Sequence, residues 1–135
     1  MTDRLVHGVL DTSVVIDIAS IPEESLPLRA AISAVTLAEL AQGVHLVRDE
    51  HMRAARIELL QLVEATYRYL LPFDDACARR YGSLVALVLA AGRQPKPRRI
   101  DLMIAATAAN QDLPLFTRNP GDFVGLDRAL LVVSV

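Results

Sequence analysis

Four acidic side chains sit where apolar segments of the chain end or begin. Asp11 follows the run Leu5 to Leu10, apolar apart from His7; Glu39 lies one helical turn into a stretch opened by Thr36; Asp101 heads Asp-Leu-Met-Ile-Ala-Ala-Thr-Ala-Ala-Asn; Asp122 closes the turn Arg118-Asn119-Pro120-Gly121-Asp122. Carboxylates suit Mg2+ or Mn2+, hard cations that take oxygen ligands and keep several waters. Such an ion can orient a phosphodiester, activate a water and stabilise the leaving oxygen, which is nuclease chemistry. Zinc would want His and Cys at short spacings, and His7, His45, His51 and Cys77 have none. Each acid also has a structural reading. Asp11 suits a helix cap, Glu39 a capping box Thr36-x-x-Glu39, Asp101 a helix N-terminus, and Asp122 turn chemistry. Were Asp11, Glu39 and Asp101 to meet within ~4 Å, each like-charged pair would cost about 4 kcal/mol at an effective dielectric of 20, so convergence calls for a cation.

The elements that position these acids follow from hydrophobic periodicity. Leu5 to Leu10 reads as a buried strand, Val14 to Ala19 as a short helix closed by Pro22, and Ala30 to Ala34 as a second strand. From Thr36, the residues Leu37, Leu40, Ala41 and Val44 recur on one helical face, with Glu39 roughly opposite. Glu50 to Tyr69 reads as an amphipathic helix with Met52, Leu59, Leu62, Val63 and Thr66 inward, and Asp49/Arg53 and Glu64/Arg68 as outward pairs. Leu70 to Phe73 is a short apolar run, and Asp74 caps a helix ending near Ala91 with Gly92 as its C′ residue. A basic loop, Arg93 to Arg99, leads into the buried helix from Asp101 to Asn110, and Leu113 to Phe116 and Ala129 to Val133 are the last strand candidates. Short apolar strands alternating with helices predict an α/β domain: a central, mainly parallel sheet with helices on both faces. Ligands of such sheets collect beyond the strands' carboxyl ends, where the strand order reverses.

Composition bounds the alternatives. The 135 residues, 53% hydrophobic at mean hydropathy +0.34, suffice for one domain with a sizeable core. The longest uncharged stretch, Tyr81 to Gly92, is too short for the ~20 residues of a spanning helix, and neither a leader-like start nor a pairable cysteine is present, so a cytoplasmic location without membrane association is expected. Net charge −2 gives no global attraction to a polyanion, so nucleic acid must be held by a local patch or bound cations. Lys96 is the one lysine, which leaves a receiver-like phosphoacceptor without its lysine after the last strand, and no Gly-Lys-Ser/Thr is present for a P-loop.

At the acidic residues the sequence resembles the PIN-domain family, and within it the VapC toxins of VapBC toxin–antitoxin pairs. The matching segments are Leu10-Asp11-Thr12-Ser13-Val14-Val15-Ile16, Val35-Thr36-Leu37-Ala38-Glu39-Leu40-Ala41-Gln42-Gly43, Ile100-Asp101-Leu102-Met103-Ile104-Ala105-Ala106-Thr107-Ala108 and Phe116-Thr117-Arg118-Asn119-Pro120-Gly121-Asp122-Phe123, spanning nearly the whole chain in family order. The resemblance implies a single PIN-like domain and an Mg2+- or Mn2+-dependent endoribonuclease that cuts structured RNA such as tRNA or rRNA, is inhibited by a VapB-like antitoxin and forms a homodimer. Carried over by motif, Asp11, Glu39 and Asp101 match the acidic metal positions, and Ser13 and Thr117 match supporting hydroxyls. The fourth acidic position departs from the family. Many relatives carry an acid directly after Thr-Arg, where this chain has Asn119; Asp122 lies three residues on, and either is a candidate to complete the site.

Arg98 and Arg99, with Arg118, are the candidate phosphate contacts, because the loop carrying the first two runs straight into Asp101. With three Phe, three Tyr and no Trp, shape rather than base stacking would dominate RNA recognition. The rival reading is a non-catalytic α/β protein-binding module whose acids are helix caps.

Overall fold

The computed structural model describes residues 4–135. Five strands, β1 (His7–Leu10), β2 (Arg29–Ser33), β3 (Leu70–Leu71), β4 (Leu115–Thr117) and β5 (Val132–Ser134), form one sheet in the order β3-β2-β1-β4-β5. Every pairing is parallel, with Leu10 opposite both Ile32 and Phe116. The connecting helices are α1 (Thr12–Ile16), α2 (Ala34–Leu46), α3 (Glu50–Thr66), α4 (Asp75–Ala90) and α5 (Arg99–Asn110).

The period of two along the central strands divides the core. Val9 and Leu115 face one side, where they pack with Leu84 and Val88 of α4 and Leu102, Ile104 and Ala105 of α5. Leu10 and Phe116 face the other, against Val14 and Val15 of α1, Leu40 of α2 and Val63 of α3. Helices therefore cover both faces. Asp74 caps α4 by accepting from the Cys77 amide at 3.0 Å, and Gly92 follows its end with φ +76°, where a side chain would be strained.

Several expected boundaries shift. The first helix starts at Thr12, and a 3-10 turn, Ile18–Ser20, replaces its expected end. Ser33, not Thr36, caps α2, accepting from the Val35 amide at 3.0 Å. Thr36 is fully buried, so the expected capping box does not form; the buried face of α2 is Val35, Thr36, Leu40 and Val44, with Ala41 exposed. This rolls Glu39 toward α1. In α3 only Val63 is buried, and Met52, Leu62 and Thr66 stay exposed because the helix meets the body mainly through α2. Asp49 caps α3 instead of pairing with Arg53, whose guanidinium reaches Glu50 and the Val44 and Val47 carbonyls; the helix ends before Arg68. The last two strands lie one to three residues later than expected, and α5 begins two residues before Asp101.

Gly8 leaves room on β1 for the Phe116 ring of β4. A Cβ there would overlap the buried Phe116 ring, lying 2.8 Å from its Cδ1, and would press on Pro27 Cγ at 3.1 Å. Gly8→Ala is expected to destabilise the protein by about 1–3 kcal/mol through overpacking, read as a lower denaturant midpoint at unchanged m.

Candidate active site

The sheet reverses its order between β1 and β4, and the carboxyl end of that junction is where the acids gather. Asp11 follows β1, and its amide donates to the Phe116 carbonyl at 3.0 Å, tying it to β4. Its side chain, 4% exposed, accepts from the Val14 amide at 3.1 Å and from Ser13 Oγ at 2.5 Å. The capping role anticipated for Asp11 is thus real, and it fixes the carboxylate. Ser13 Oγ also accepts from the Arg118 amide at 3.1 Å, joining α1 to the turn after β4. Thr117, fully buried at the end of β4, accepts from the Asn119 amide at 2.9 Å and shapes the same turn.

Glu39 projects from α2 toward α1. The Thr12 hydroxyl donates to Glu39 Oε1 and lies 3.1 Å from Thr36 Oγ1. Thr12 was not legible as a site residue from sequence; its place between Asp11 and Ser13 was the available signal. Arg98, expected to face RNA phosphate, donates from Nη1 to Asp122 Oδ1 at 2.7 Å. Arg99 is exposed at the first position of α5, and Arg118 lies 3.7 Å from Asp17 Oδ2. Asn119 is exposed, and its side chain does not cap the 3-10 turn Pro120–Phe123 that carries Asp122.

Asp101 sits in the first turn of α5, where the helix dipole favours a carboxylate. The opposite pressures win. Its pKa rises from 3.8 to about 6, first through burial, then through the negative charges of Asp122, Glu39 and Asp11, with Arg98 opposing the rise. Three acids from three other parts of the chain therefore act on one carboxyl group. Among the described residues, however, no group of three or more His, Cys, Asp or Glu side chains is arranged to hold a metal ion outright, so the close three-carboxylate contact considered above does not form. Repulsion disfavours it, and Asp11, Glu39 and Asp122 each have a separate partner. An all-oxygen donor set with negative charge left over after Arg98 fits a hard divalent cation that keeps part of its water shell.

Beside Glu39 a groove of about 480 Å³ opens between α1, α2 and α3, lined by Thr12, Ile16, Glu39, Leu40, Ala55, Arg56 and Leu59. No helix among the described residues is long and apolar enough to cross a membrane.

The PIN domain family model matches residues 8–128. Ribonuclease VapC5 of Mycobacterium tuberculosis (strain ATCC 25618 / H37Rv) is 41% identical over 128 residues, covering 93% of this chain and 91% of that protein. Among solved structures, VapBC-5 from Mycobacterium tuberculosis, described as a member of the VapBC family of toxin–antitoxin systems, superimposes with TM-score 0.83 at 39% identity over 96% of this chain and 99% of that one. FitAcB from Neisseria gonorrhoeae gives TM-score 0.73 at 29% identity, over 93% and 96% of the two chains. With the family model spanning most of the chain and a curated VapC relative aligned over nearly all of it, this chain belongs to the PIN-domain family, in its VapC group.

Proposed function

We propose that this protein is a divalent-metal-dependent endoribonuclease, the toxin of a type II toxin–antitoxin pair, which cuts structured RNA such as tRNA or rRNA and so inhibits translation. The observation that carries the reading is that Asp122, Glu39 and Asp11 all act on Asp101, whose pKa is raised to about 6 first by burial and then by these charges. Asp11 and Asp101 would be the direct ligands of the ion, with Glu39 as a third ligand or as the orienter of its water, and Asp122 would complete the acidic set. When bound, Mg2+ or Mn2+ would offset the charge of a phosphodiester and acidify a water. Glu39, gripped by Thr12, orients the attacking water. Ser13, Thr117 and Asn119 hold the β4 turn against α1, which keeps Asp11 aligned with it. Arg99 and Arg118 draw the RNA backbone to the site.

Asp101→Asn tests the assignment in two ways. Cleavage of total cellular RNA in Mg2+, followed by mapping new ends, should fall by more than the ~10–100-fold that loss of an outer-shell partner costs. The raised pKa also has a thermodynamic sign. Below pH 3.8 both folded and unfolded states are protonated; as pH rises toward about 6, the unfolded chain has released a proton that the folded protein still holds, and stability from this group is lost. The metal-free variant should therefore match or exceed wild type in stability at neutral pH and lose this slope between the two values, measured by denaturant titration across pH. Cleavage at the wild-type rate would overturn the assignment.

Arg99→Gln with Arg118→Gln should weaken RNA binding and reduce the slope of log affinity against log salt by roughly 0.7–0.9 for each phosphate no longer neutralised, with a smaller effect on single-turnover cleavage at saturating RNA.

A VapB-like antitoxin is the expected inhibitor. The groove beside Glu39 suits an amphipathic segment whose arginine pairs bidentately with the carboxylates. Asp11→Ala with Asp101→Ala should then weaken antitoxin binding in calorimetry, whereas undiminished affinity would locate inhibition elsewhere.

A further inference from the structure

Among the described residues five polar side chains are buried: Asp11, Ser33, Thr36, Thr107 and Thr117. Asp11, Thr36 and Thr117 belong to the contacts described above. Ser33 and Thr107, both fully buried and 74 residues apart, hydrogen-bond to each other instead, with 3.3 Å between Ser33 Oγ and Thr107 Oγ1. The protons give this bond a direction. Thr107 donates its own to the Met103 carbonyl, one turn back in α5, at 2.8 Å. Ser33 is therefore the donor to Thr107, while it accepts from the Val35 amide at the start of α2. A chain of hydrogen bonds thus runs from the first turn of α2 into the middle of α5.

The two helices so joined carry two of the acids. Ser33 caps α2 six residues before Glu39, and Thr107 lies six residues after Asp101 in α5. Each stretch is about 9 Å of helix at 1.5 Å per residue. The packing around the bond is apolar: Val35 of α2 shares a cluster with Leu102, Ala105, Ala106 and Ala109 of α5. Apolar attraction has no direction, and the single methyl groups of alanine make shallow ridges. A buried hydroxyl left without a partner costs free energy, so the helices are held at the offset where Ser33 meets Thr107.

We propose that Ser33 and Thr107 are positioning residues for RNA cleavage: their bond fixes how far α2 is set along α5, and with it the separation of Glu39 from Asp101. This rests on the ribonuclease site proposed above and extends its control into the core.

Thr107→Val keeps the side-chain shape and removes the acceptor, whereas Thr107→Ser keeps the hydroxyl. Each is compared with wild type in three measurements: single-turnover cleavage in Mg2+ of an RNA fragment spanning a mapped cleavage site, affinity for that fragment, and the Glu39-to-Asp101 spacing in crystals of the metal-free protein. Thr107→Val should shift the spacing by about 1 Å and slow cleavage at saturating RNA on the order of 100-fold, with affinity unchanged. Thr107→Ser should restore rate and spacing. Ser33→Gly breaks the same bond from the other side with little loss of capping, so it should behave like Thr107→Val and decides the matter if that variant does not fold. Wild-type rate or wild-type spacing in the folded variant, a loss confined to RNA affinity, or Thr107→Ser as slow as Thr107→Val would overturn the proposal. Wild type that leaves RNA uncut would overturn the ribonuclease site, while the spacing in metal-free crystals would still decide whether the bond sets the helix offset.

Discussion

Parallel pairing of β1 with both β2 and β4 is the constraint from which the site follows. It brings the carboxyl ends of three strands to one edge and reverses the strand order there, so α1 leaves on one side and α5 arrives with its N-terminus on the same edge. Asp11, Glu39, Asp101 and Asp122 are far apart along the chain, yet each belongs to a segment beginning or ending at that edge. Gly8, with no Cβ, lets the Phe116 ring of β4 lie directly against β1.

The electrostatics show how the fold tolerates what it assembles. One acid is capped and hydrogen-bonded, one is held by a neighbouring hydroxyl and one is paired with arginine, while burial and its acidic neighbours push the pKa of Asp101 up. Asp101 is the carboxyl group on which the other three act. A proton on that group relieves the repulsion, which is why it is held to a higher pH.

Much of this was legible in the sequence. The alternation of strands with helices, the buried helix behind Asp101, the cap at Asp74 and the glycine after α4 follow from short-range periodicity and capping chemistry, and all are present. The four acids could be singled out because each abuts an apolar segment. The roll of α2 was not legible: Val35 and Thr36 are buried because α2 packs against β2 and α5, and a helical wheel carries no information about which neighbours surround it. Nor was the pairing of Arg98 with Asp122, since two loops far apart in sequence meet only through the tertiary fold. Thr12 lies between Asp11 and Ser13, yet a hydroxyl in a capping segment looks ordinary until its acceptor, Glu39, is brought to it.

The bond from the Arg118 amide to Ser13 Oγ joins residues 105 positions apart. Together with the ladder between β1 and β4, it means that the first of the four acids to leave the ribosome is fixed by almost the last segment to follow it. A nascent chain that has emerged only through α4 has neither the strand that anchors Asp11 nor the helix that carries Asp101. The edge that carries the four acids is therefore complete only in chains extended past β4.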